Sequence, residues 1–107
     1  MGTKKNPITP EAKRFIQRVK KTIKPEQIIL FGSRAYGEPM EYSDYDFIIV
    51  ADTFKKEHWL DRISSVIKHW DSDKPIDILP YTPDEFSKKK KESRMVREAA
   101  RRGNRVL

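Results

Sequence analysis

Apolar residues along the chain fall into short periodic groups, and the period switches repeatedly between that of a helix and that of a strand. Behind Thr9-Pro10, Ala12, Phe15, Ile16, Val19 and Ile23 recur at helical spacing until Pro25. Thr9 reads as an N-cap, Pro10 as the first helical residue and Pro25 as the stop. Gln27 to Phe31 is a short β-branched run cut off by Gly32, which predicts a buried strand. A glycine- and charge-rich stretch from Gly32 to Ser43 predicts a loop with at most a helical turn, and Asp44 to Val50 a second strand.

Residues 56–70 place Trp59, Leu60, Ile63, Ile67 and Trp70 on one side of a second helix, the side expected to face the core. Asp71 to Pro75 is a turn, and Ile76 to Leu79 a third strand. Thr82-Pro83-Asp84-Glu85 has the form of a capping box opening a third helix, which Lys88 to Lys91 either prolong or break. A last helix over Arg94–Arg102 ends at Gly103, read as a left-handed cap. Residues 1–8 form a flexible basic lead, and residues 9–107 a single domain. The alternation predicts an α/β or α+β fold with a small mixed β-sheet packed by helices.

Length and composition narrow the chemistry. The 107 residues leave room for one domain, and the absence of cysteine excludes disulfides, thiolate metal sites and cysteine nucleophiles. No apolar run has the length of a membrane span and no signal-peptide pattern opens the sequence, so a cytoplasmic protein is expected. The net charge of +7 is uneven: +7 over residues 1–25, −5 over 26–83 and +5 over 84–107. An acidic middle between basic ends suggests a carboxylate site in cationic surroundings more than a uniform nucleic-acid coat. Abundant Lys, Arg and Glu also suit a thermophile.

The candidate site lies in that acidic middle. Asp44 and Asp46 are two apart on a strand, so both side chains project to one face while Tyr45, Phe47 and Ile49 project to the other. Adjacent carboxylates repel, and a hard divalent cation such as Mg²⁺ is their natural neutraliser. Asp77 stands between apolar neighbours in a later strand, where both propensity and solvation disfavour it. Solvated strand-end acids are the plainer explanation of all three. Gly32-Ser33 at a strand end offers backbone amides and a hydroxyl that could cradle a phosphate, with Arg34 beside them to pair with it. The plainer alternatives are an ordinary turn, and for Arg34 an ion pair to Glu38 or Glu41. His58 and His69 are surface residues in this reading, and Trp59 and Trp70 core or interface anchors. Tyr36 and Tyr42 border the loop and could stack on a base.

Gly32-Ser33, ten residues, then Asp44-x-Asp46, with Asp77 in a later strand, resembles the nucleotidyltransferase superfamily typified by DNA polymerase β. The segment GSRAYGEPMEYSDYDFIIV is most similar to the minimal nucleotidyltransferases, small prokaryotic stand-alone domains that include antitoxins, and the likeness runs over residues 10–107. The resemblance implies a polymerase β-like fold and transfer of a nucleoside monophosphate, most plausibly AMP from ATP, to an acceptor hydroxyl. It implies two Mg²⁺ ions held by Asp44, Asp46 and Asp77, with Gly32 and Ser33 on the phosphates. Relatives of this type are paired with a small helical HEPN-domain protein as a toxin–antitoxin couple, which makes such a protein the implied partner. The other expectations are a non-catalytic antitoxin-like binding module with an idle or regulatory nucleotide site, and a basic nucleic-acid-binding domain, the latter less favoured. A dimer formed through the end helices is compatible with the pattern.

Overall fold

The computed structural model describes residues 5–107; residues 1–4 of the basic lead lie outside the described residues. Five helices and four strands follow in the order α1 (Pro10–Thr22), β1 (Gln27–Phe31), α2 (Ser33–Tyr36), β2 (Tyr45–Val50), a 3-10 turn (Asp52–Lys56), α3 (Trp59–Ile67), β3 (Ile76–Tyr81), α4 (Pro83–Glu92), α5 (Arg94–Arg102) and β4 (Asn104–Arg105). The sheet has the order β3-β2-β1-β4. β1 runs antiparallel to β2 and β4, whereas β2 and β3 are parallel and are joined by the crossover through α3. This is the small mixed sheet packed by helices that the alternation predicts.

Strand alternation divides the core into two layers. Ile28, Leu30, Tyr45, Phe47, Ile49 and Ile78 face α1 and α3, packing on Ala12, Phe15, Ile16, Val19 and Val66. Ile29, Phe31, Ile48, Val50 and Tyr81 face α4 and α5, packing on Phe86, Val96 and Ala99. Asp46 and Asp77 alternate with the first set and therefore share the α5 side of the sheet. Local signals hold the helices in register. The Thr9 hydroxyl accepts from the Ala12 amide at 3.3 Å. Thr82 and Glu85 form the reciprocal capping box, the Thr82 amide donating to Glu85 Oε1 at 2.9 Å and the Glu85 amide to Thr82 Oγ1 at 3.2 Å. The lysine run prolongs α4 as far as Glu92.

Three expectations are corrected. The second helix is shorter than 56–70 and turns differently: α3 buries Arg62 and Val66 and leaves Leu60 75% exposed. Arg62 wins the inward position through bonds available only there. Its guanidinium donates to Pro80 O (3.2 Å), Glu57 O (2.9 Å) and Glu85 Oε1 (2.6 Å), so a buried cation is fully paired. Trp70, beyond the helix, does reach the core, edge-on to Phe15 at 5.5 Å. Gly103 is not a left-handed cap, since its φ is −64°. It is a close-approach glycine, where a Cβ would lie 2.6 Å from Ile29 Cγ2 and 3.0 Å from Leu30 O.

β3 extends past Leu79 to Tyr81 and includes Pro80, which an edge strand tolerates. The two-residue strand β4 has no sequence signal at all. Within its described part the lead makes three hydrogen bonds to the α2 turn, all from Asn6. The Asn6 amide nitrogen donates to Ser33 O and Gly37 O, each at 3.0 Å, and the Asn6 N–H to Ala35 O at 2.7 Å.

Gly103→Ala is expected to lower stability by about 1–3 kcal/mol, the usual cost of overpacking. A lower midpoint of urea unfolding at unchanged slope checks it; an unchanged midpoint contradicts the close approach of α5 to β1.

Candidate active site

Register builds the site. In the parallel β2–β3 pair Asp46 stands directly opposite Asp77, so two like charges meet across strands where they destabilise the sheet. Asp44 precedes β2 instead of lying on it, yet one carboxylate oxygen from each of Asp44, Asp46 and Asp77 lies within 4.8 Å of the others. The three acids singled out by the sequence are therefore brought together. Asp77 differs from expectation in its surroundings. It is exposed on the edge strand β3, so of the three only Asp46 is partly buried.

The Asp46 carboxyl is pushed up to about 6, first by burial, then by the charge of Asp77 and then by that of Asp44. An all-carboxylate oxygen set with its central member pushed towards the neutral form fits a hard divalent cation, which would relieve the repulsion. Beside the acids lies a cavity of about 400 Å³ walled by Phe31, Asp46, Asp77, Ile78, Leu79 and Met95. Its apolar wall is not legible in the sequence, because Met95 reaches it from α5, which comes beside these strand ends only on folding.

Gly32 is required by the same site. Its φ of 74° favours glycine, and a Cβ there would stand 2.5 Å from Asp46 Oδ2. It thus makes room for the carboxylate as well as turning the chain into α2. The Ala35 and Tyr36 amides close onto the Gly32 carbonyl at 3.0 and 3.2 Å. The amides of Ser33 and Arg34 stand outside those bonds, as first-turn amides do.

Arg34 goes elsewhere. It donates to the backbone carbonyls of Glu41 and Ser43, lies over the Tyr45 ring, and lines a second cavity with Asn6, Thr9, Leu30 and Tyr45. Neither Glu38 nor Glu41 holds it by its carboxylate. Tyr36 lies under Arg102, 4.5 Å from ring centroid to guanidinium carbon, which ties α5 to α2. Tyr42 is exposed on the loop. Among the described residues no helix is long and apolar enough to cross a membrane.

The sequence profile described as "Nucleotidyltransferase domain" matches residues 12–101. The chain belongs to the nucleotidyltransferase family. Membership implies a nucleoside triphosphate as substrate, and the acidic triad is the place in this nucleotidyltransferase domain where a divalent metal could bind. A provisionally assigned nucleotidyltransferase from Sulfolobus solfataricus superposes with a TM-score of 0.59 at 25% identity, covering 73% of this chain and 69% of that one. BolA1 from Arabidopsis thaliana gives 0.59 at 20% identity over 73% of this chain and 98% of its own. The BolA domain of SufE1 from the same plant gives 0.60 at 15% identity over 74% and 99%. At those identities the two BolA structures share the sheet-and-helix arrangement alone. No curated protein matches the chain significantly.

The raised Asp46 pKa has a signed consequence for the metal-free protein. Between the ordinary carboxyl value of 3.8 and about 6 the folded state binds more protons than the unfolded one. Stability therefore falls as pH rises through that window and stays lower above it. Asp46→Asn is expected to stabilise the EDTA-treated protein at pH 8 by about 1 kcal/mol after allowing for solvent screening of a half-exposed group, or about 4–8 °C in Tm. At pH 4 it should change little. Equal melting of wild type and variant at pH 8 contradicts a carboxylate held at a cost by burial and by its two acidic neighbours.

Proposed function

We propose that the chain transfers a nucleoside monophosphate from a nucleoside triphosphate, AMP from ATP first among them, to an acceptor hydroxyl: the acceptor oxygen bonds to the α-phosphorus, the α–β phosphoanhydride bond breaks, and pyrophosphate leaves. The observation that carries this reading is the juxtaposition of Asp46 and Asp77 across β2 and β3 with Asp44 beside them. In this reading Asp44, Asp46 and Asp77 hold two Mg²⁺ ions, which supply charge neutralisation on the phosphates and an activated acceptor oxygen. The rest falls to side chains and backbone. Gly32 leaves the space Asp46 needs, and Ser33 offers its hydroxyl and amide to the phosphates. In the same reading Asp77 receives the proton of the acceptor hydroxyl, a role supported by its exposure at the sheet edge. The apolar wall of Phe31, Leu79 and Met95 gives the cavity a dry side against which a base or an acceptor ring can lie.

Acceptor identity belongs to the same proposal. The resemblance to stand-alone minimal nucleotidyltransferases favours a HEPN-domain protein modified by this chain as its antitoxin. A non-catalytic module would also need the three acids only as surface charge, and Asp77 carries little desolvation cost; the half-buried, uncompensated Asp46 is what favours catalysis.

Incubation with Mg²⁺ and ATP labelled at the α-phosphate, in lysate of the source cells, should transfer label to one acceptor. Asp44→Asn, Asp46→Asn and Asp77→Asn should each cut that label at least about 100-fold, the scale on which single groups contacting the reacting phosphates act. Label equal in all four proteins, or none with any nucleotide, contradicts the catalytic reading.

A further inference from the structure

Asp44 is the one member of the triad that no strand holds. Its position depends on the loop before it, and that loop is fastened from the far side of the sheet. Arg34 donates from Nε and Nη2 to Ser43 O at 3.2 and 3.1 Å, and from Nη2 to Glu41 O at 3.0 Å. Its guanidinium carbon lies 4.4 Å from the centroid of the Tyr45 ring, a stacked geometry that an ammonium cannot reproduce. The Tyr45 hydroxyl in turn donates to Glu11 Oε1 at 2.7 Å and lies 2.9 Å from Thr9 Oγ1.

Glu11 pairs with Lys74 at 3.4 Å. Beside Lys74, the Pro75 carbonyl accepts from the Tyr45 amide at 2.9 Å. One polar chain, Arg34–Tyr45–Glu11–Lys74, thus joins the backbone just before Asp44 to the backbone just before Asp77. Tyr45 is its centre because alternation sends it through the sheet between Asp44 and Asp46.

We propose that Arg34 is a positioning residue for the cation site: braced on Tyr45, it clamps the Glu41–Ser43 backbone so that Asp44 stays beside Asp46 and Asp77. The proposal rests on reading the three carboxylates as a cation site. It differs from a phosphate-pairing role for Arg34, in which the guanidinium would serve the triphosphate and leave the bare metal site unaffected. Groups that orient metal ligands at one remove change affinity by about 10–100-fold.

The test uses Mn²⁺ alone, titrated into the full chain without nucleotide and followed by the EPR signal of the free ion, with hydrogen exchange of the same samples read by mass spectrometry. Wild type, Arg34→Lys, Tyr45→Phe and Asp44→Asn are compared. Arg34→Lys should weaken Mn²⁺ binding about 10-fold, towards the Asp44→Asn value, and speed exchange over residues 39–44 with residues 46–50 unchanged. Tyr45→Phe, which keeps the ring under the guanidinium and loses only the hydroxyl, should weaken binding less.

Exchange over 39–44 equal to wild type in Arg34→Lys overturns the clamp. So does unchanged Mn²⁺ affinity accompanied by weaker binding of tripolyphosphate in EDTA, which is the phosphate-pairing result. Faster exchange throughout β2 would make Arg34 a general stability residue and overturn its specific role. Failure of the wild type itself to bind Mn²⁺ overturns the cation reading and the positioning role with it, and loop exchange then still reports separately whether the clamp exists.

Discussion

The parallel register of β2 on β3 is the constraint on which the site depends. It sets Asp46 opposite Asp77, and a slip of one residue would send one of the two carboxylates to the opposite face. Nothing local favours that pairing, since two acids facing each other across strands repel. The register is enforced by what lies beyond the acids: Phe47, Ile49 and Ile78 in the α1 layer, and Ile48, Val50 and Tyr81 in the α4–α5 layer. Hydrophobic packing thereby holds charges together that would separate if free, and the Asp46 pKa is raised first by its burial and then by the charges of Asp77 and Asp44.

The remaining parts of the site follow from that placement. Gly32 must be glycine because Asp46 occupies the space a side chain would take. Asp77 is open to solvent because β3 ends the sheet, and that gives an approaching group access to an otherwise packed layer. Asp44 reaches its partners from a loop, so it alone needs an external fastening, and the polar chain behind the sheet supplies one. The face that packs the core and the face that carries the acids are connected through Tyr45, whose ring is buried and whose hydroxyl is bonded to the first turn of α1.

Much of this was legible in the sequence, and what was not has identifiable causes. The three acids, the Gly-Ser turn, the capping box at Thr82 and the strands β1 and β2 are local patterns, each readable within a few residues. Periodicity assigns Leu60 and Ile67 of α3 inward, whereas Arg62 finds the Pro80 carbonyl and Glu85, which lie 18 and 23 residues away in sequence and are adjacent only after folding. β4 is too short to carry a pattern and exists because the chain after Gly103 lies against β1. Asp77 looked buried because its neighbours are apolar; edge position, a property of sheet order, decides otherwise. The destination of Arg34 was hidden for the same reason, since the Glu41 and Ser43 carbonyls present themselves only once the loop has closed.

The proposed chemistry requires that the three carboxylates share one cation site. Anomalous diffraction from crystals of the full chain grown with Mn²⁺ tests it most directly. A manganese peak in contact with carboxylate oxygens of Asp46 and of at least one of Asp44 and Asp77 is the expected result. Crystals in which Mn²⁺ binds elsewhere, while the three side chains turn apart into solvent, would contradict it.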